Sequence, residues 1–283
     1  MKEENVHLTS QGQKLDASYY WADESNQGPM VVVLSGFHGL KNIHPERFSR
    51  FITQRGYDCF GFDYRGFGLS EGDRRQTTLE GEVQDIQAVV DFISRSQGRK
   101  VILLGWGMAG GLIMKMAASR EDKISGLIPV NGFYNGARVQ QKVRGHEGYE
   151  KFIKWYEDNK DSQEDFEPFD IYPLDSVTRE YVDNVLYKNP DFGGKMKMSF
   201  ATSLINFVVE YKETNIPMLA VHGESNALHP PGEAKDLVDN YHGHKEIYWV
   251  PKAGHTEWML DENHKFQRVV EEIDQWIQRN AHD

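Results

Sequence analysis

Two short segments of this sequence place residues that could carry out chemistry directly after runs typical of buried strands. Residues 101–111 read as a strand, a tight turn crowded with small residues and then a helix. Such a turn holds the side chain at its tip above the sheet, but the residue at the tip is Gly107, which has no functional atom. His255 follows the last strand-like run, and its imidazole suits general-base catalysis because an unperturbed histidine has a pKa of about 6.5.

Two further segments with polar side chains follow other strand-like runs. They are residues 35–39 (Ser-Gly-Phe-His-Gly) and residues 222–226 (His-Gly-Glu-Ser-Asn). Asn226 could orient an imidazole, but an amide cannot stabilise an imidazolium as a carboxylate does, so His255 is expected to be a weak base. Glu224 is the alternative acid because it lies close by in sequence.

The elements that must position these residues alternate along the chain. Strand-like runs lie at residues 5–10, 14–22, 30–34, 57–64, 100–106, 124–131, 217–222 and 246–251, and helical patterns at 45–55, 79–95, 108–119, 231–241 and from 262 onwards. This alternation indicates βαβ crossovers and a parallel sheet. It stops for about eighty residues that are rich in aromatic and charged side chains. We therefore predict an α/β core, residues 1–133 and 215–283, and a helical cap, residues 134–214, inserted after the sixth strand.

The composition excludes several classes of partner. Of 283 residues, 39% are hydrophobic and 27% are charged, and 43 acidic residues outweigh 32 basic ones to give a net charge of -11. This charge would repel both nucleic acid and an anionic membrane surface. The first ten residues lack the features of a secretory signal, no apolar run is long enough to cross a bilayer, and Cys59 has no cysteine to pair with. A cytoplasmic protein is expected.

The turn after the strand resembles the G-x-S-x-G motif of the α/β-hydrolase superfamily. Gly105 fits the first glycine, Ala109 takes the place of the second, and Gly107 falls on the nucleophile. Residues 63–70 (Asp-Tyr-Arg-Gly-Phe-Gly-Leu-Ser) closely match the D-x-R-G-x-G-x-S stretch of that family. The chain resembles the superfamily over nearly its whole length outside the predicted cap.

This resemblance implies a mostly parallel, eight-stranded sheet flanked by helices. It implies that the backbone amides of Phe37 and Met108 form an oxyanion hole, because the loop after the third strand resembles the H-G-x-x-G loop of the family. It also implies that Gly107 marks a vacant nucleophile position, that Asn226 holds the acid position and that His255 is the catalytic histidine, in the usual chain order. The chain therefore departs from the family at both the nucleophile and the acid.

Substrate-binding residues are expected around this site: His38, Trp106, Glu224, Tyr134 and Trp155. The aromatic residues of the predicted cap favour a small, apolar or aromatic substrate. No cofactor is expected, and no metal site is predicted because His242 and His244 lie in a turn without convergent carboxylates. A homodimer is left open.

The glycines of residues 105–111 also fit the G-x-G-x-x-G pattern of dinucleotide-binding proteins. That pattern normally follows the first strand of its sheet and precedes an acidic residue at the end of the next strand. Here it follows several strands, and the next strand ends at Asn131. A dinucleotide-dependent dehydrogenase is therefore disfavoured.

Three hypotheses about function remain. The first is an enzyme without a serine nucleophile, in which an oxyanion hole and His255 as general base act on a small acyl, ester or keto compound by hydrolysis, lyase chemistry, cyclisation or dehydration. The second is an inert ligand-binding or accessory protein with the same fold. The third is a serine hydrolase inactivated by the exchange of its nucleophile for Gly107.

Overall fold

Eight strands form one sheet in this structure, a computed structural model that describes residues 1–260 and 262–281, apart from the side chains of residues 170 and 171. The strands are β1 (Lys2–Ser10), β2 (Gln13–Trp21), β3 (Met30–Leu34), β4 (Cys59–Phe62), β5 (Val101–Trp106), β6 (Ile124–Val130), β7 (Met218–Gly223) and β8 (Lys245–Val250).

The strand order is β1-β2-β4-β3-β5-β6-β7-β8. β1 pairs antiparallel with β2 and β2 with β4, whereas all the pairings from β4 to β8 are parallel. The predicted fold, a mostly parallel eight-stranded sheet flanked by helices, is therefore confirmed. Because the carboxyl ends of β3, β5, β6, β7 and β8 meet at one edge, the loops that follow them converge there.

Five helices flank the sheet, and others lie between β6 and β7. The flanking helices are α1 (His44–Thr53), α2 (Leu79–Gln97), α3 (Met108–Ala117), α8 (Gly232–Asn240) and α9 (His264–Asn280). Between β6 and β7 lie α4 (Gly136–Asn159), which is kinked at Gly145, α5 (Pro168–Ile171), α6 (Ser176–Tyr181), a π-helical turn (Val182–Leu186) and α7 (Met198–Ile205). Two 3-10 turns occur at Arg74–Gln76 and Glu121–Lys123. We refer to residues 134–214 as the insertion.

The sheet is buried on both faces, which explains why its central strands are continuous apolar runs. Val32 and Leu103 pack in the cluster that contains α2 and α3, whereas Val31 and Ile102 pack in the cluster that contains α1 and α9. Trp276 of α9 is fully buried in the second cluster. Within the described part of the chain, no helix is both long and apolar enough to cross a membrane.

A buried ion pair fixes the amino end of the sheet. The side chains of Asp58 and Arg99 are 0% and 4% exposed, and Arg99 Nη1 lies 2.8 Å from Asp58 Oδ2. The other carboxylate oxygen accepts the backbone amide of Ala22 at 2.8 Å. Arg99 also donates through Nε to the backbone oxygen of Gly28. These bonds join the ends of β2, β3, β4 and β5 in a region that is shielded from solvent.

We expect Asp58→Ala to lower the free energy of unfolding by about 3–5 kcal/mol, because it leaves the buried guanidinium of Arg99 without its counter-charge. Urea denaturation measures this loss. The control is Glu147→Ala, which breaks an exposed ion pair with Lys151 and should cost less than about 1 kcal/mol. Equal losses in the two variants would contradict the role assigned to Asp58.

Candidate active site

The turn between β5 and α3 holds the chain in a conformation that favours glycine. Gly107 has φ +59° and ψ −122°, and its amide donates to the backbone oxygen of Val130 at 2.8 Å. A Cβ added at Gly105 would lie 2.5 Å from the backbone oxygen of Ala109, so position 105 must stay small. A Cβ added at Gly107 would instead meet only His255, with Nε2 at 3.6 Å. Position 107 is therefore open and faces the imidazole of His255.

A small cavity of about 60 Å³ lies over this turn. Six of the residues singled out in the sequence line it: Phe37, His38, Trp106, Gly107, Met108 and His255. The insertion supplies most of the opposite wall through Phe169, Tyr172, Thr178, Tyr181, Val182 and Leu186, and His229 and Thr256 complete the lining. The lining contains no Asp, Glu, Lys or Arg among the described residues, so the cavity is apolar apart from imidazole, indole and hydroxyl groups.

His255 is buried, and its immediate environment is uncharged. Its backbone oxygen accepts the side-chain amide of Asn131 at 2.9 Å, but its Nδ1 has no hydrogen-bond partner among the described residues. Burial, together with His229 and His222, holds the pKa of His255 well below its usual value. The imidazole is therefore neutral at pH 7, and no carboxylate stabilises its protonated form.

Asn226 does not orient His255, contrary to the role inferred from its position. Its Oδ1 accepts the backbone amides of Leu228 at 3.1 Å and His229 at 3.0 Å. Its Nδ2 lies 3.5 Å from His222 Nε2, which carries a proton because it donates to the backbone oxygen of His229 at 2.8 Å. The single oxygen of the amide is used within the loop, which leaves no acceptor for an imidazole N–H.

Glu224 does not serve as the alternative acid either. Its carboxylate is exposed, and Oε2 accepts the backbone amide of Lys252 at 3.0 Å. It therefore ties the loop after β7 to the loop after β8, and its assignment to substrate binding is corrected.

Tyr134 and Trp155 are also absent from the cavity lining. Tyr134 is buried beside Gly132, and its backbone amide donates to Glu233. Trp155 packs against Phe152 and Phe166, because the face of α4 that carries it packs against other residues of the insertion. Both residues are corrected to packing positions.

His38 lines the cavity but also closes the loop that carries Phe37. His38 Nδ1 accepts the backbone amide of Leu40 at 3.2 Å and lies 2.9 Å from the hydroxyl of Ser35. Its Nε2 therefore carries the proton and donates to His44 Nδ1 at 3.2 Å. Burial lowers the pKa of His38 to about 3, so it stays neutral.

Trp106 forms the floor of this region. Its ring centroid lies 3.8 Å from that of His44 and 5.0 Å from that of His255. Its indole nitrogen has no hydrogen-bond partner among the described residues. Trp106 thus separates two buried imidazoles rather than presenting a polar group to the cavity.

Sequence reasoning missed His229 and the structural role of Asn131. Asn131 directly follows β6 and has φ +51°, and its side chain bonds both the amide of Gly223 and the backbone oxygen of His255. His229 lies beside His255, with ring centroids 4.7 Å apart. The only signal for His229 in the sequence is a histidine in the loop after a strand whose carboxyl end reaches the site. No group of three or more His, Cys, Asp or Glu residues capable of holding a metal occurs in the ranges that the structure describes.

We expect Gly107→Ser to react covalently with a fluorophosphonate probe, because a Cβ at this position lies 3.6 Å from the imidazole nitrogen that would activate the hydroxyl. Mass spectrometry of the labelled protein measures the reaction. Adding His255→Ala should slow labelling by about 100-fold or more.

The matched control for this variant is Gly145→Ser. Gly145 also has a positive φ, +67°, but faces open space, so this variant has similar backbone strain without an imidazole. Both variants should lose about 1–3 kcal/mol of stability. Labelling of both serines at the same rate would show that position 107 has no special reactivity.

Comparisons with known proteins identify the family of the chain. The family model described as serine aminopeptidase, S33 (Hydrolase_4) matches residues 26–262. An uncharacterised 31.7 kDa protein of the traX-finO intergenic region of Escherichia coli is 24% identical over 267 residues, covering 89% of this chain and 91% of its own. Monoglyceride lipase of Saccharomyces cerevisiae is 24% identical over 283 residues, covering 89% of this chain and 85% of its own.

Solved structures show the same fold. Est1E from Butyrivibrio proteoclasticus with bound ferulic acid matches with a TM-score of 0.70 at 20% identity, over 97% of this chain and 98% of its own. The family match spans most of the sequence and includes the turn at Gly107, the loop after β7 and His255. The chain therefore belongs to the serine aminopeptidase S33 family of the α/β-hydrolase superfamily.

Proposed function

We propose that this protein is a cofactor-independent acyl hydrolase that attacks its substrate with water instead of a serine. The observation that carries the proposal is the open space above Gly107, which faces His255 Nε2 within the same cavity as Phe37 and Met108. A water molecule in that space would occupy the place of the missing hydroxyl. The family membership and the hydrolase relatives support a reaction at an acyl carbon.

The reaction follows from these positions. His255 Nε2 takes a proton from the water while the water oxygen bonds to the acyl carbon of an ester or thioester. The carbonyl oxygen becomes an oxyanion, which the backbone amides of Phe37 and Met108 stabilise. Met108 is the first residue of α3, so its amide lacks a partner within the helix and lies at the positive end of the helix dipole. Collapse of the intermediate breaks the bond to the leaving group, which takes the proton back from His255.

The size of the cavity favours a short acyl chain. Its volume of about 60 Å³ is well below the roughly 150 Å³ of a protein cavity that binds benzene. Phe37, Phe169, Val182 and Leu186 give it apolar walls. We therefore propose an uncharged, short-chain ester or thioester as the substrate class.

We expect the protein to turn over short activated esters and thioesters slowly, and His255→Ala to reduce kcat/KM by about 100-fold or more, because the proton acceptor is lost. A chromogenic ester assay measures both. His244→Ala, which changes an exposed histidine at the start of β8, is the matched control and should leave turnover unchanged. Equal turnover by the parent protein and His255→Ala would overturn the proposed role of His255.

The pH profile gives an independent test. Neutral His255 is the active form, and its pKa is lowered by burial and by the neighbouring imidazoles. Activity should therefore show no loss near pH 6.5, where an unperturbed histidine would lose half its activity, and should fall only below the lowered pKa. Measurement of kcat/KM as a function of pH distinguishes a lowered from an unperturbed pKa. A midpoint between pH 6.5 and 7.5 would contradict the assignment of His255 as a base without a charged partner.

One observation favours a second candidate function, ligand binding without turnover. His255 Nδ1 has no partner among the described residues, so the imidazolium formed during catalysis lacks the stabilisation that a carboxylate gives. A binding protein with this cavity would retain affinity for short acyl compounds and show no turnover of any ester or thioester. Calorimetry with the esters that fail as substrates separates this candidate from an enzyme.

A further inference from the structure

One histidine of the cavity wall, His229, has no part in the attack by water described above. Its Nδ1 lies 2.6 Å from the backbone oxygen of Asn131. A carbonyl oxygen can only accept a hydrogen bond, so Nδ1 carries the proton and Nε2 keeps its lone pair. The structure thus fixes the tautomer of His229 and makes Nε2 an acceptor.

The loop after β7 is built around this imidazole. The backbone amide of His229 donates to Asn226 Oδ1 at 3.0 Å, and its backbone oxygen accepts from His222 Nε2 at 2.8 Å. Asn226 and His222 belong to the segment that would orient His255 if a carboxylate were present. In this chain the same segment orients His229, which is only 3% exposed.

The protein itself supplies only a long hydrogen bond to His229 Nε2. The hydroxyl of Tyr172, in the insertion, lies 3.4 Å from His229 Nε2, longer than the roughly 2.5–3.0 Å of a well-formed hydroxyl hydrogen bond. Tyr172 and His229 both line the cavity. A ligand hydroxyl or N–H that reached Nε2 would replace a long bond with a short one.

The charge of the cavity sets what kind of ligand this acceptor can bind. Burial lowers the pKa of His229 to about 4, so Nε2 remains unprotonated at neutral pH. The described lining residues include no Asp, Glu, Lys or Arg. The other two histidines of the cavity wall, His38 and His255, also have lowered pKa values. The site therefore lacks the charges that would recognise a carboxylate or an ammonium group.

We propose that His229 Nε2 determines substrate specificity by accepting a hydrogen bond from a hydroxyl or N–H group of an uncharged, short-chain acyl compound. The inference rests on the proposed function for the reaction, but the binding it describes does not require turnover. A compound with a methyl group in place of the donor leaves Nε2 with only the long bond to Tyr172. The difference of one hydrogen bond in a buried site corresponds to about tenfold in affinity.

The experiment compares pairs of compounds in which a hydroxyl replaces a methyl group of nearly equal size. One pair carries the exchange in the acyl chain and the other in the alcohol part, so the two arms show which side of the substrate reaches His229. Esters report kcat and KM, and the matching non-hydrolysable ketones report Kd by calorimetry. We expect the hydroxyl compound of one pair to bind about tenfold more tightly.

Three variants test the contact. Asparagine in His229→Asn can keep a donor for the backbone oxygen of Asn131 but has no acceptor at the ε position, so the tenfold ratio should fall to about one. Glutamine in His229→Gln places an amide oxygen near that position and should restore part of the ratio. Tyr172→Phe removes the competing hydroxyl and should raise the ratio above that of the parent protein.

The control variant is His146→Asn, which makes the same exchange on an exposed face of α4 and should leave the ratio unchanged. Circular dichroism melting shows which variants fold, and if His229→Asn does not, the parent ratio and Tyr172→Phe still decide. A parent ratio near one in both pairs, or a ratio that His229→Asn leaves unchanged, would overturn the proposal. Tenfold selective binding of a ketone without any ester turnover would instead refute the hydrolase function and retain the His229 site.

Discussion

The tight turn between β5 and α3 is the constraint on which the arrangement of this site depends. The amide of Gly107 is bonded to the end of β6, and Gly105 lets the backbone of α3 approach β5 where a Cβ would collide. These contacts direct the Cα–Cβ bond of any residue at position 107 towards His255. Backbone packing therefore sets the direction of position 107, and no side chain at that position is needed for it.

The absence of a side chain at position 107 also changes the energetics of the turn. Its φ of +59° is strained for an L-residue with a Cβ, and such strain costs about 1–3 kcal/mol, whereas glycine adopts it freely. Serine hydrolases of this fold must offset that strain elsewhere. In this chain Gly107 adopts the same backbone conformation without that cost.

The sequence was sufficient to predict the sheet, the turn and the residues that the backbone places, and less sufficient for contacts made by side chains. Phe37, Met108 and His255 could be placed because each follows a buried strand at a fixed distance, and the carboxyl ends of parallel strands meet at one edge. Trp155 could not, because helical periodicity does not say which neighbour a face of α4 packs against. The role of Asn226 was misjudged because its hydrogen bonds to the loop have no signature in sequence.

The amide side chains that join the loops around the cavity give the site its electrostatic character. Asn131 and Asn226 join the loops after β6, β7 and β8 through hydrogen bonds that carry no charge. The carboxylate of Glu233 influences the pKa values of His222 and His229. It forms an ion pair with Arg138, in which Nε and Oε1 are 2.7 Å apart.

A buried imidazole that has no anion beside it stays neutral, because desolvation disfavours the charged form. The burial that lowers the pKa of His255 thus also lowers the pKa of His229 and keeps its Nε2 unprotonated at neutral pH. A carboxylate at either asparagine position would raise the pKa of the neighbouring imidazoles and convert acceptors into donors. The weak basicity of His255 and the neutrality of His229 thus share one cause, the burial of both imidazoles.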